Sequence, residues 1–278
     1  MLLIRDSSIL KIMYDARTDR LKRAIMDKGS AVVAFSGGVD SSTLAYLAQA
    51  ALGNRAVAVT VKMLSFPQRE LDNAKQVAEE IGIRHRIVEF DEFNVPLITE
   101  NTPERCYFCK KEILKMLTAV KVELGFSVIM EGSTASDTNA YRPGRKALSE
   151  AVDLVYSPFL EQGVTKEEVR EIARHAGLSV SEKPASPCLA SRFPYGNALT
   201  KDSIRRVEEA ENFLLDMGFT DLRVRDHKGM ARIELYPFDF RELLLHREEI
   251  LSYFKKIGFD YVTLDIEGFR SGSMDEVL

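Results

Sequence analysis

Ser36-Gly-Gly-Val-Asp-Ser-Ser42, set between an apolar run and a helical pattern, restricts this chain more than any other stretch. Ala31-Val-Val-Ala-Phe35 is short and apolar, as a strand buried on both faces must be. The residues from Ser41 to Leu52 put Leu44, Leu47 and Leu52 on the apolar side of a helix. Two adjacent glycines let the backbone turn tightly and bring its N–H groups close to an anion. The helix that follows adds unpaired N–H groups and the positive end of its dipole. Ser36, Ser41 and Ser42 supply hydroxyl donors, Asp40 a carboxylate suited to Mg2+, and Gly37, Gly38 and Val39 complete the turn. A Walker A loop would end in Gly-Lys-Ser/Thr, which is absent here, so the kinase and GTPase class is disfavoured.

Strands and helices then alternate. Residues 56–61 predict a second strand, 67–81 an amphipathic helix stopped by Gly82, and 84–90 a third strand. Residues 112–124 place Ile113, Leu117, Val120 and Leu124 on one helical stripe, with Gly125 at its end, and 127–130 predict a fourth strand. Thr165-Lys-Glu-Glu168 is a capping box that opens a helix running to about residue 176, where Gly177 stops it. This order implies a doubly wound parallel sheet with helices on both faces. Residues 182–196 are rich in Pro and Ser and predict a long loop, of a length that in a compact chain usually serves function. Beyond it a helix (201–217), two strands (222–225, 231–236), a helix (240–256) and a strand (261–265) predict a small α+β domain. A boundary near 197 gives domains of 1–197 and 198–278.

Of the 278 residues 45 % are hydrophobic and 29 % charged, which excludes disordered and fibrous classes. No run reaches the ~18 apolar residues of a membrane span, and charges interrupt the start of the chain where a leader would be apolar. No membrane association and a cytoplasmic location are expected. The net charge of −4, with 12 Lys and Arg against 17 Asp and Glu in residues 201–278, argues against nucleic acid as the main partner. Three cysteines are too few for a disulfide framework.

Cys106-Tyr-Phe-Cys109, followed by Lys110 and Lys111, has three readings by itself: a redox pair, half of a zinc site, or part of an iron–sulfur site. The third cysteine, Cys188, lies in the Pro-rich loop. A thioredoxin-type pair needs no third thiol. Zinc wants four ligands, and His85, His175, His227 and His246 show no ligand-like spacing to any cysteine. Core filling suits a CxxC plus a loop cysteine poorly. Three thiolates can hold three irons of a [4Fe-4S] cluster and leave the fourth open to an external ligand such as sulfide, with Lys110, Lys111 and Arg192 as cationic neighbours.

The phosphate loop resembles that of the pyrophosphate-loop ATPases, the adenine nucleotide α-hydrolase-like superfamily. The resemblance implies cleavage of ATP between its α and β phosphates and adenylation of a carbonyl or carboxylate. It also implies adenine lying against Thr60, Val61, Lys62 and Met63, with Gly132 and Ser133 lining the same crevice. Four further blocks sharpen it: Asn101-Thr-Pro-Glu-Arg-Cys-Tyr-Phe-Cys-Lys-Lys-Glu112, Glu131-Gly-Ser-Thr-Ala-Ser-Asp137, Tyr141-Arg-Pro-Gly144 and Pro187-Cys-Leu-Ala-Ser-Arg192. Together they are similar to the LarE family of ATP-dependent sulfurtransferases, which serve nickel-pincer nucleotide cofactor synthesis. The family implies adenylation of a carboxylate on pyridinium-3,5-biscarboxylic acid mononucleotide, then replacement by sulfur to give a thiocarboxylate, with AMP and pyrophosphate released.

That family has two chemistries. In one, a lone cysteine in the Pro187–Arg192 block gives up its own sulfur and becomes dehydroalanine. In the other, a CxxC and that cysteine hold a cluster. With all three thiols this sequence resembles the cluster type, which implies Cys106, Cys109 and Cys188 as ligands and, with Asp40, as catalytic residues. The resemblance further assigns Arg223 and Arg225, with Arg192, to the substrate phosphate. It implies a homo-oligomer whose partners are ATP and a small nucleotide, the sulfide source being unspecified. Ser136 and Ala140 stand where the family commonly has acidic residues, so a metal role for this loop beyond Asp137 does not carry over. Glu208 and Glu211, one turn apart on the 201–217 helix, are read as solvated-face residues. An iron–sulfur-dependent tRNA thiolase and a non-catalytic nucleotide-binding or redox-sensing module are the alternatives.

Overall fold

The structure, a computed structural model, describes residues 7–139 and 143–270. Along the chain, α1 (Ser7–Met26) leads into β1 (Ala31–Ala34), α2 (Val39–Leu52), β2 (Ala56–Lys62), α3 (Gln68–Ile81) and β3 (His85–Glu89). A short α4 (Pro96–Thr99) precedes α5 (Arg105–Glu123), β4 (Val128–Met130), α6 (Pro143–Ser149), β5 (Val155–Tyr156), α7 (Pro158–Glu161) and α8 (Lys166–His175). Then come α9 (Lys201–Asp216), β6 (Arg223–His227), β7 (Met230–Glu234), α10 (Phe240–Leu245), α11 (Arg247–Lys256) and β8 (Tyr261–Leu264).

These elements form two compact units. The first comprises the chain up to 62, residues 68–90 and residues 106–186; the second comprises 63–67, 91–105 and the chain from 187 onward. In the first unit five parallel strands run in the order β3-β2-β1-β4-β5, flanked by helices, which is the doubly wound α/β architecture. β1 and β2 are buried almost throughout, so both read as unbroken apolar runs rather than alternating ones. β3 closes one edge with Arg86 and Glu89, charges that suit an edge strand. Leu44 and Leu47 of α2, Val77 of α3 and Val169 and Ile172 of α8 fill the core.

The second unit holds a mixed sheet, β6 antiparallel to β7 and β7 parallel to β8. Ile204, Val207, Ala210 and Leu214 of α9 bury one apolar stripe against Val224, Ile233, Phe254 and Phe259. Leu189, Ala190 and Phe193 belong to this same core, so the segment around Cys188 packs with the second unit from Pro187 on, ahead of residue 197.

Three elements differ from the sequence reading. α1 was not anticipated, since its apolar residues are interrupted by charges, yet Leu21 and Ile25 are fully buried. α5 begins at Arg105 rather than near 112, so the CxxC lies on the helix, at its start. Arg105 bonds the Asn101 side chain and donates to the Ala190 carbonyl at 2.9 Å, tertiary bonds that fix the helix start where periodicity gave no signal. The expected 240–256 helix is two, parted at His246, which leaves helical geometry (φ −94°, ψ 12°) and bonds Glu242 one turn back.

Candidate functional site

β1 pairs with β2 on one side and β4 on the other, so the chain leaves β1 where the winding reverses. In an open parallel sheet a crevice forms there, beyond the carboxyl ends of the strands. The Ser36–Ser42 loop occupies this position. Gly37 has φ +72°, and a Cβ on it would lie 2.8 Å from the Ala74 backbone, so the turn admits no other residue without displacement. Asn73 donates to the Gly37 carbonyl at 2.9 Å. Ser41 Oγ donates to the Gly38 carbonyl at 3.1 Å and accepts from the Ser36 N–H at 3.2 Å, which folds the loop back on the first turn of α2. Gly38 is the N-cap residue and no side chain caps α2, leaving the helix's first N–H groups to face the crevice, where an anion is favoured.

Gly132, just past β4, closes on this loop. A Cβ there would stand 3.1 Å from the Asp40 carbonyl carbon and 3.2 Å from its oxygen, so the end of β4 and the first turn of α2 approach closely at a residue without a side chain. Asp40 Oδ2 is paired with the Lys166 ammonium, while Asp40 Oδ1 and Ser42 Oγ are buried with no hydrogen-bond partner among the described residues. Lys166 is the first residue of α8, held by the reciprocal Thr165–Glu168 capping box, and Arg17 pairs with Glu168. The capping box is legible in the sequence; the approach of Lys166 to Asp40 is not.

Thr60 is 2 % exposed. Its hydroxyl donates to the Phe35 carbonyl at 2.8 Å, so its oxygen accepts from His85 Nε2–H at 2.8 Å, and the side chain is committed within the sheet. Val61 is buried and Lys62 pairs with Glu89 at 2.9 Å, while Met63 falls in the second unit. Beyond Gly132, Glu131 accepts from the Ser133 N–H (3.1 Å) and hydroxyl (2.7 Å), and Asp137 accepts from the N–H and hydroxyl of Thr134, both at 2.9 Å. Both carboxylates thus shape their own loop. Ser136 accepts from the Lys166 N–H at 3.1 Å; Ala140, Tyr141 and Arg142 lie outside the described residues.

Burial, and secondarily Lys75, holds the His85 imidazole below its ordinary pKa of 6.5, which favours the neutral ring; in that ring the proton lies on Nε2, the nitrogen that donates to Thr60. A depressed histidine contributes stability that is present above its unfolded pKa and is lost as pH falls below it. The wild-type chain is therefore expected to lose more stability than His85→Gln between about pH 7.5 and about pH 5.5, read as urea midpoints. Equal losses would mean that His85 does not titrate in this range.

Cys188 opens a short 3-10 turn, Leu189–Arg192, held by bonds to the carbonyls of Cys188, Ala190 and Ser191. The Cys188 carbonyl accepts from Ser191 N–H (3.0 Å) and Oγ (2.8 Å), Ala190 from Arg105 (2.9 Å) and Ser191 from Arg225 (2.7 Å), while the Leu189 N–H donates to Ser65 (2.8 Å). Arg192 is 2 % exposed and forks onto Glu211 at 2.8 and 2.9 Å. Arg225, also buried, forks onto Glu234 at 2.9 and 2.8 Å, and Arg232 reaches Glu234 at 2.9 Å. Glu211 is therefore not a solvated-face residue: it is buried and also accepts the Val224 N–H at 2.9 Å, whereas Glu208 is half-buried. Arg223 donates to the Leu222 carbonyl at 2.6 Å. Burial first, then the charge of Arg192, pushes it down to about 10, still a full cation at neutral pH.

Cys106 is exposed and Cys109 half-buried, one turn apart on α5 and so on one helix face, next to Lys110 and Lys111. A Cβ on Gly144 would be 3.5 Å from the Cys106 carbonyl, so the end of the Tyr141–Gly144 block packs on this turn. None of the three cysteines is in a disulfide, and among the described residues no three His, Cys, Asp or Glu side chains gather as a metal-ligand group. No helix among them is long and apolar enough to cross a membrane. Asn101 and Arg105 stand in a block the sequence reading quoted, and Lys166 in its capping box, but none of them, nor Glu234, was given a role in the site. Only Asn101 leaves a structural mark of its own, a left-handed backbone (φ 55°) at a fully buried residue.

A parallel sheet whose first strand runs into a Ser-Gly-Gly-x-Asp-Ser turn under an uncapped helix is that of the PP-loop α/β nucleotide-binding class, and the asparagine synthase family model matches residues 15–152. The chain is 38 % identical to the pyridinium-3,5-bisthiocarboxylic acid mononucleotide synthase of Lactiplantibacillus plantarum, over 93 % of each protein. It is also 38 % identical to an uncharacterized protein of Synechocystis, over 96 % of this chain and 99 % of that one. It belongs to the LarE family. The tRNA-specific 2-thiouridylase MnmA of Rhodopseudomonas palustris is 25 % identical over 89 % of this chain and 74 % of its own length.

Proposed function

We propose that this protein is an ATP-dependent sulfurtransferase that turns a carboxylate of pyridinium-3,5-biscarboxylic acid mononucleotide into a thiocarboxylate. The observation that carries this reading is the relationship, over nine-tenths of both chains, to a synthase named for the bisthiocarboxylic product. A carboxylate oxygen is a poor leaving group. Attack of that oxygen on the α-phosphorus of ATP forms an acyl adenylate and expels pyrophosphate. A sulfur nucleophile then adds at the carbonyl carbon, and AMP leaves with the C–O bonding pair.

In this reading Ser36, Gly37, Gly38, Val39, Asp40, Ser41, Ser42 and Gly132 hold the ATP phosphates, with Mg2+ on Asp40. Thr60, Val61, Lys62 and Met63 border the adenine. Arg223, with Arg192 and Arg225, draws in the substrate phosphate. What supports this last role is the chemistry of the group: Arg192, Arg223, Arg225 and Arg232 are guanidiniums, which bind phosphate with forked donors. Residues 1–197 act as the nucleotide domain, and 198–278 bind substrate and join copies of the chain.

Three thiols outside any disulfide, two of them one turn apart beside two lysines, fit an iron–sulfur group in donor type. Cys106, Cys109 and Cys188 would hold it, and it would supply a replaceable sulfur in place of one taken from the chain. The deciding measurement is iron and acid-labile sulfide on protein purified without oxygen, with AMP and thiocarboxylate counted per chain. About four irons with repeated turnover is the expected result. An iron-free protein that makes one product and loses the elements of hydrogen sulfide at Cys188 would replace the cluster by a sacrificed cysteine. ATP binding without AMP release would overturn the enzyme reading.

The relationship to thiouridylases favours one second reading, thiolation of tRNA. Tight tRNA retention on a filter, falling steeply with salt, would establish it in place of the small nucleotide.

A further inference from the structure

We propose that Glu92 is a positioning residue for Cys188, steadying through the turn over 63–66 the peptide on which the cysteine stands; this rests on the reading above in which sulfur passes through Cys188. Glu92 is 1 % exposed and opens a short 3-10 turn, Glu92–Asn94, in the second unit. Its base is fixed, since Asp91 accepts the Phe93 N–H at 3.1 Å and pairs with Lys201 at 2.8 Å. The two oxygens of Glu92 take consecutive backbone donors, the Leu64 N–H at 3.2 Å and the Ser65 N–H at 2.7 Å. Among the described residues no Lys or Arg pairs with this carboxylate, so those two N–H groups are what offsets its removal from water.

The next N–H, that of Phe66, donates to the Met63 carbonyl at 3.1 Å, which closes the turn and aims the Ser65 carbonyl. That carbonyl accepts the Leu189 N–H at 2.8 Å. The Leu189 N–H and the Cys188 carbonyl belong to one planar peptide. Its carbonyl end is held by the Ser191 N–H at 3.0 Å and hydroxyl at 2.8 Å. Clamped at both ends, the peptide fixes ψ of Cys188 at 151° and with it the direction in which the Cβ–Sγ bond leaves the turn. Arg105 and Arg225 hold the turn further on, at Ala190 and Ser191, whereas the Ser65 carbonyl acts on the cysteine's own peptide. Leu64, Phe93 and Cys188 pack against the same core, which backs this chain of bonds from carboxylate to thiol.

The plainer role for Glu92 is to stabilise the second unit as a whole, and Glu92→Gln separates the two. The amide keeps the size of the side chain but has one acceptor oxygen, and it turns donors toward the other backbone N–H. On enzyme purified without oxygen, positioning is expected to lower kcat for thiocarboxylate roughly tenfold or more, with KM for ATP within about threefold of wild type and ATP–pyrophosphate exchange unchanged. Amide hydrogen exchange should quicken roughly tenfold in peptides covering 63–66 and 188–191, and stay within about twofold in those from α9 and β7. Exchange that quickens throughout the second unit, or an undiminished kcat, overturns the proposal. Should the glutamine variant fail to fold, Glu92→Asp keeps the charge and withdraws it by one methylene. The same split between kcat and KM is then required, and wild-type turnover sinks the idea. Cys188→Ala protein that still makes thiocarboxylate would instead remove the sulfur role of Cys188, and this inference with it.

Discussion

Cys188→Ala protein is expected to make thiocarboxylate at less than about one-thousandth of the wild-type level while binding Mg-ATP within about threefold of wild type. The separation follows from where the two functions lie. The phosphate loop is built in the first unit from β1, α2, β4 and α8, and Cys188 belongs to the second. The Cys188 turn is held by its backbone: by Ser191, by Arg105 on Ala190, and by Arg225 on Ser191. None of these bonds uses the cysteine sulfur. Removing a half-buried Sγ thus takes away the thiol and leaves the turn in place. Product analysis by mass spectrometry beside ATP calorimetry reads both quantities. Undiminished thiocarboxylate would show that sulfur does not pass through Cys188. Loss of ATP binding along with thiolation would give the cysteine a structural role instead.

Local features of this fold were legible and distant ones were not. The strand, the Gly-Gly turn and the helix of residues 31–52 follow one another, so propensity and periodicity describe them together. The Thr165–Glu168 capping box is likewise a contiguous signal, and it appears with both reciprocal bonds. Lys166 could be placed on α8 but not beside Asp40, because nothing in a sequence reports a contact across 126 residues. Glu211 shows the same limit in another form. On a helix of alternating charge it reads as solvated, and only the fold brings Arg192 and the Val224 N–H to it. The start of α5 was misjudged for a related reason, since Arg105 is held by Asn101 and Ala190, and neither bond belongs to the helix itself.

The buried arginine–glutamate pairs set the second large expectation. Glu234 is fully buried and receives three guanidinium N–H groups, two from Arg225 and one from Arg232. Glu234→Ala would leave the Arg225 cation, itself 5 % exposed, without its carboxylate and without water to replace it. Breaking one side of such a pair costs about 3–5 kcal/mol, of the same order as the whole stability of many domains. Replacing both partners, as Glu234→Leu with Arg225→Leu, should cost less than the single change, because the fully buried cation goes with the carboxylate and Arg232, which is partly exposed, keeps Asp265. Urea unfolding of the three proteins at neutral pH reads this order directly. The double variant, though the more stable, also lacks the guanidinium that holds the Ser191 carbonyl, so its Cys188 turn is released on one side. It should fold and bind ATP yet thiolate poorly. A double variant that thiolates normally would mean that Arg225 serves the core of the second unit and not the Cys188 turn.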